Sequence, residues 1–228
     1  FLSHSTFGKP ISKNTKHVRD AIEILKKEKV DLLLLGALKR EKMLRYYLGS
    51  IARKVTRKAP CSVLLMLHPS VERIPCQHMV VNGFDSPHTL HTVEKAYEVA
   101  QALKTQKITL VEEISPSEIK IAVSDDKSLR KATLRKQKLN RQEERRVQDI
   151  LKEIPEAKKQ GIKTQSQSIF GRRGYSIGHY ARLMRADLLV MNAQEESRFW
   201  HRLFPKDLEH ILNEIPTNVL IIAPESHE

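Results

Sequence analysis

Cysteine is scarce: Cys61 and Cys76 are the only two in 228 residues. That excludes a small disulfide-stapled module, their spacing offers no metal-ligand set, and the usage suits a reducing cytoplasm. Aromatic residues make up 5% and do not alternate with the basic ones, so stacking platforms for single-stranded nucleic acid are lacking. No apolar run approaches the roughly 18 residues of a membrane span, and no signal peptide opens the chain. H-E-x-x-H, a nucleophile elbow and a Walker loop are all missing, so no catalytic set stands out. His88 and His91 lie one turn apart at a helix start, a spacing that could share a metal, but the ordinary reading for them is surface residues.

Basic residues, by contrast, are plentiful. A formal net charge of +13 attracts anionic partners such as an acidic protein or an anionic membrane surface. Without interleaved aromatics, specific nucleic-acid binding is not expected.

The strongest pattern is internal. Residues 31–66 hold an apolar run (32–35), Gly36, a basic helix-like segment, Gly49-Ser50 and a second apolar run from Val63. Unbroken runs of this length fit strands buried on both faces of a parallel sheet. Leu48, Ile51, Ala52, Val55 and Ala59 recur at helical spacing between them. Residues 187–222 repeat the pattern without a gap at an offset of 156: Asp31 matches Asp187, Ala37 matches Ala193, Pro60 matches Pro216 and Val63 matches Val219. A fixed offset is the mark of an internal duplication.

At these residues the chain resembles the universal stress protein family. Gly36-x2-Lys39-x9-Gly49-Ser50 follows the spacing of that family's G-x2-G-x9-G-[ST] phosphate loop with lysine at the middle glycine, and Ala59-Pro60-Cys61-Ser62-Val63 resembles the motif before its last strand. The second copy carries Asn192, Glu195, Pro205 and Lys206 at the corresponding positions, so its loop has lost the glycines. The resemblance implies an α/β fold of tandem universal-stress-protein-like (adenine nucleotide alpha hydrolase-like) open parallel sheets flanked by helices. It also implies ATP or another adenine nucleotide as ligand, with Gly36, Lys39, Gly49, Ser50 and Ser62 as the binding set. Glycine lets backbone approach phosphate, a helix start presents amides, and Lys39 adds charge; a plain turn with a helix cap uses the same residue types. Pairing through the last strand, residues 219–223, is implied either as a homodimer or within the chain.

Taken in order, residues 17–29 have one apolar face and predict a helix, so residues 1–70 form the C-terminal half of a first domain. No counterpart of residues 77–156 precedes Phe1, and the missing half is expected upstream in a longer polypeptide or from another chain. Residues 68–75 read as a link, and residues 71–228 as a second domain. It opens with a strand at 79–81 and the turn Asn82-Gly83-Phe84-Asp85-Ser86, where Asp85 sits one place later than the family's aspartate. A helix follows through Leu90, Val93, Ala96, Tyr97, Ala100 and Leu103, and then a strand at 108–111. Residues 115–160 read as a basic helical insertion, with Leu134, Val147, Ile150, Leu151 and Ile154 as its apolar contacts. A strand at 162–169 leads to the glycine-rich turn at 170–178, a place where an anion can sit, followed by a helix facing the sheet through Ile177, Tyr180, Ala181 and Met184.

The expectation is a cytoplasmic, non-catalytic regulatory protein that senses an adenine nucleotide in its first copy. The alternative is the cytoplasmic regulatory tail of a cation/proton antiporter or amino-acid transporter, acting at the membrane's cytoplasmic face as part of a longer polypeptide. A nucleotide hydrolase is the weaker alternative, since no nucleophile or metal carboxylates can be named.

Overall fold

The computed structural model describes residues 18–40, 45–67, 69, 75–193 and 206–224. Local signals repeat at the sequence offset. Helix α1 (Val18–Lys27) ends where Lys29 turns left-handed at φ 47°, and Val30 N donates to Leu25 O at 3.0 Å. At the same places 156 residues on, Arg185 has φ 50° and Ala186 N donates to Ala181 O at 2.9 Å. Each helix thereby stops in a left-handed residue and turns directly into a strand.

The elements that follow are β1 (Leu32–Gly36), β2 (Leu38–Arg40), β3 (Arg45–Tyr47), α2 (Ser50–Lys58), β4 (Ser62–Met66), β5 (His78–Asn82), α3 (Thr89–Leu103) and β6 (Lys107–Ile114). After a 3₁₀ turn at Pro116–Glu118 come α4 (Asp126–Glu153), α5 (Glu156–Lys159), β7 (Lys163–Phe170), α6 (Tyr175–Leu183), β8 (Leu188–Asn192), α7 (Lys206–Asn213) and β9 (Asn218–Ile222). The α/β character with parallel strands is as the sequence implies.

The strands form one continuous sheet of seven in the order β1-β4-β9-β8-β5-β6-β7, with β2 and β3 paired separately. All neighbours are parallel except β4 and β9, which meet antiparallel. Strand pairing through residues 219–223 is therefore made inside the chain, and β4 takes the edge of β9 that a homodimer would use.

Both faces of the sheet are covered along β5, β8 and β9. One face packs Leu25, Val55, Ile177, Ala181, Leu208, Ile211 and Leu212 from α1, α2, α6 and α7 against Val63, Leu65, Leu189, Met191, Val219 and Ile221. The other packs Val93, Ala96, Tyr97 and Ala100 of α3 and Val147 of α4, with Ile154 just beyond it, against Met79, Val81, Leu188, Val190, Leu220 and Ile222. Under β1 this second layer stops. Leu32 is 39% and Leu34 53% exposed, whereas Leu188 and Val190, their counterparts in β8, are buried beside β5.

Several local expectations change. The basic segment after Gly36 is a hairpin, because β3 is tied to α7: Ile215 N donates to Tyr46 O at 2.9 Å and Leu48 N to Leu212 O at 3.1 Å. Ile51, Leu103, Leu134 and Met184 point to solvent rather than to the core. Residues 115–160 are not appended to the fold but form the β6-to-β7 crossover, packed on the sheet by the C-terminal half of α4. Glu195, Pro205 and most of the link at 68–75 lie outside the described residues.

Candidate functional site

In an open parallel sheet, loops at the carboxyl ends of the strands form the ligand crevice, at the point where strand order reverses. The antiparallel β4–β9 join divides the carboxyl ends into two groups, β1 with β4 on one side and β5, β6 and β8 on the other.

At the first, β1 ends in Gly36, and Ala37 N donates to Met66 O at 2.8 Å, holding the chain beside β4 before it enters the hairpin. Lys39 stands opposite Tyr46 in the hairpin and is exposed. Gly49 precedes α2 in an extended conformation (φ −61°, ψ 159°), no side chain caps the helix, and its first turn contains no acid. A Cβ on Gly49 would lie 3.1 Å from Leu38 Cδ1, so glycine keeps the hairpin close to the helix start. Gly36, Lys39, Gly49 and Ser50 thus share one end of the sheet, where the positive end of α2 favours an anion.

Ser62 does not join them. It pairs with Leu32 at the opposite end of β1, about 13 Å of strand away. There Ser62 Oγ accepts from Ala223 N at 3.1 Å, and at the other end of the same join Asn218 Oδ1 accepts from Leu67 N at 3.0 Å. Serine serves the strand junction.

The second end, beyond β5, β6 and β8, is filled by the protein's own side chains. Arg146 reaches in from α4, donating to Gly83 O at 2.6 Å and to Glu143 Oε2 at 2.9 Å, and makes a close contact with the Glu112 carboxyl. Asp85, the turn aspartate, is exposed and 3.9 Å from the same guanidinium. Burial pushes the Glu112 carboxyl up, opposed by the Arg146 charge and reinforced by Glu143, to about 8. Gly83 packs directly on Glu112, leaving no room for a side chain. Arg173 stacks on Phe84 with its guanidinium 3.8 Å from the ring centroid, and Asn192 Nδ2 donates to Ser86 Oγ at 3.1 Å.

The glycine-rich turn is likewise taken. Glu113 accepts from Gly174 N at 2.8 Å and from Ile177 N at 2.7 Å, so an internal carboxylate occupies the start of α6, where an anion was expected. Sequence reading missed Glu112, Glu113 and Arg146. The available signal was a pair of glutamates continuing the apolar run at 108–111, since carboxylates that end a buried strand need dedicated partners. Among the described residues no group of His, Cys, Asp and Glu is arranged to hold a metal ion, and no helix is long and apolar enough to cross a membrane.

Comparison with known proteins places this geometry. The universal stress protein family model matches residues 10–66 and 78–223. Among solved structures, a provisionally named universal stress protein from Pseudomonas aeruginosa UCBPP-PA14 is similar with a TM-score of 0.62 at 17% identity, over 89% of this chain and 66% of that one. A functionally unknown protein from Pseudomonas aeruginosa PAO1 is similar at 0.60 and 15% identity, over 93% and 69%. A universal stress protein from Archaeoglobus fulgidus DSM 4304 is similar at 0.56 and 15% identity, over 91% and 66%. At these identities the likeness is one of fold, and the chain spans about two thirds of the length of each relative. No curated protein matches.

Proposed function

The chain belongs to the universal stress protein family, and on that premise we propose that it is a non-catalytic regulatory protein that binds an adenine nucleotide at the carboxyl end of β1. The observation that carries this reading is the contrast between the two crevices. The start of α2 has glycine, no side-chain cap and no acid in its first turn. Beyond β5 and β6, by contrast, Arg146 contacts the buried Glu112 carboxyl and Glu113 occupies the start of α6. Gly36, Gly49 and Ser50 would take the phosphates on backbone amides and a hydroxyl, with Lys39 supplying charge.

Residues 1–70 and 71–228 are read as two related units, the first represented by its C-terminal half. The bare Leu32 and Leu34 on β1 support completion of the crevice by a strand and helix of the β5–α3 kind, from this polypeptide or another. A cytoplasmic setting, including the cytoplasmic face of a membrane, follows from the same reading. Service as the regulatory tail of a transporter is the second reading, favoured by the basic outer face of α4, and a membrane-spanning region in the same polypeptide is its discriminator.

Calorimetry with ATP, ADP, AMP and cyclic dinucleotides tests the proposal on the intact protein. Binding that is lost in Gly49→Glu and kept in Arg146→Met is the expected result. Absence of binding, or binding indifferent to Gly49→Glu, overturns it.

A further inference from the structure

Helix α4 presents one face that the fold does not use. Ala132, Leu139 and Val147 are buried, and Lys136 and Arg135 are engaged with the Phe170 ring and the Glu118 carbonyl. Lys127, Arg130, Lys131, Leu134, Lys138, Arg141 and Arg145 recur every three or four residues, all exposed, so they form a stripe along the side of the helix away from the sheet. From Lys127 to Arg145 the stripe runs about 27 Å on a rigid rod.

Its cations are uncompensated. No acidic residue lies between positions 127 and 142, and none of the six cations has an ion-pair partner among the described residues. Lys127 and Lys131, like Arg141 and Arg145, are like-charged neighbours one turn apart, which weakens a helix. The rest of α4 avoids this: Arg146 is paired with Glu143 at 2.9 Å and Lys152 with Asp149 at 2.8 Å. A face serving solubility alone has no reason to keep such repulsion unrelieved.

We propose that this stripe docks the protein on an anionic lipid surface. The charge is one-sided and straight, as a planar array of headgroups requires. Leu134, 59% exposed in the middle of the stripe, supplies an apolar side chain that enters the headgroup boundary while the longer cations stay at the phosphates. A nucleic acid would leave Leu134 without a role, and the stripe contains no aromatic to stack on bases.

Co-sedimentation tests this on the intact protein, with phosphatidylcholine vesicles containing about one third phosphatidylglycerol and with phosphatidylcholine alone. Binding to the anionic vesicles only, lost on raising salt from about 0.1 M to about 0.5 M, is expected. The triple variant Arg130→Glu, Lys138→Glu, Arg141→Glu should weaken it by at least about a hundredfold, with circular dichroism confirming that α4 is retained. The triple variant Lys54→Glu, Lys104→Glu, Lys163→Glu changes the net charge equally on other surfaces and should leave more than half of the binding. Equal loss in both variants, binding to neither vesicle, or retention of duplex DNA without vesicle binding overturns the proposal.

Discussion

Leu64 lies directly opposite Leu220 in the antiparallel join of β4 and β9, and these two leucines hold the same position in residues 31–66 and 187–222. A pairing in which equivalent residues meet is what a two-fold axis produces at a homodimer interface. Here one chain supplies both sides. Val63 meets Ile221 and Leu65 meets Val219, and the bonds from Leu67 N to Asn218 and from Ala223 N to Ser62 are each other's counterparts.

Those side-chain acceptors close the two ends of the join. Asn218→Ala removes the partner of Leu67 N and also the donor to Asp187 O at 3.1 Å, so it should cost about 2 kcal/mol, against about 1 kcal/mol for Ser62→Ala. Urea unfolding of both variants checks the order; equal costs would show that the Asp187 bond contributes nothing.

The axis also brings α2 and α7 together. Arg53 and Glu209 are counterparts in the repeat, 3.9 Å apart, and Arg57 makes a short ion pair with the same carboxylate. A true homodimer would set like against like here, whereas at these equivalent positions a cation meets a carboxylate. Because these groups are partly exposed, Glu209→Arg should cost only about 1 kcal/mol, and adding Arg57→Glu should recover part of it. Chemical denaturation of the four members of that cycle measures the coupling.

Glu112 gives a pH dependence with a definite sign. Folded, its carboxyl holds the proton up to about 8, against an ordinary value of 4.5. Across that window the native state binds more protons than the unfolded chain, so stability falls as pH rises from about 4.5 to about 8. Glu112→Gln, neutral throughout, should flatten the decline. Thermal midpoints at several pH values through the window decide this, and parallel curves for the two proteins would contradict the assignment.

Glu113 is structural in the same crevice. Glu113→Ala strips two amides at the start of α6 of their acceptor and should destabilise by about 3 kcal/mol, with Gln, which retains one acceptor oxygen, near half of that. Hydrogen exchange at Gly174 and Ile177 locates the effect, which should appear there before the rest of the sheet loosens.

Much of this architecture is local in origin. The apolar runs of β1, β4, β8 and β9, the helical spacing before and after them, and the fixed offset between copies are all properties of residues close in sequence, and hydrophobic periodicity reports such properties well. The family resemblance and the parallel α/β layering followed from them. So did the placing of Gly36, Gly49 and Ser50 at one end of the sheet, because a strand and the helix after it fix that geometry between themselves.

Contacts between distant segments were decided only by tertiary structure. Whether residues 38–40 and 45–47 join a helix or pair as strands depended on Tyr46 and Leu48 finding backbone partners in Ile215 and Leu212, more than 160 positions away. Ser62 left the phosphate set because β9 arrived beside it. Arg146 reached the crevice beyond β5 from a helix whose charges, read along the chain, all looked alike. Sequence periodicity tells which face of an element is apolar, but a buried ion pair or a strand edge is settled by which other element reaches it, and that is set by the packing of the whole sheet.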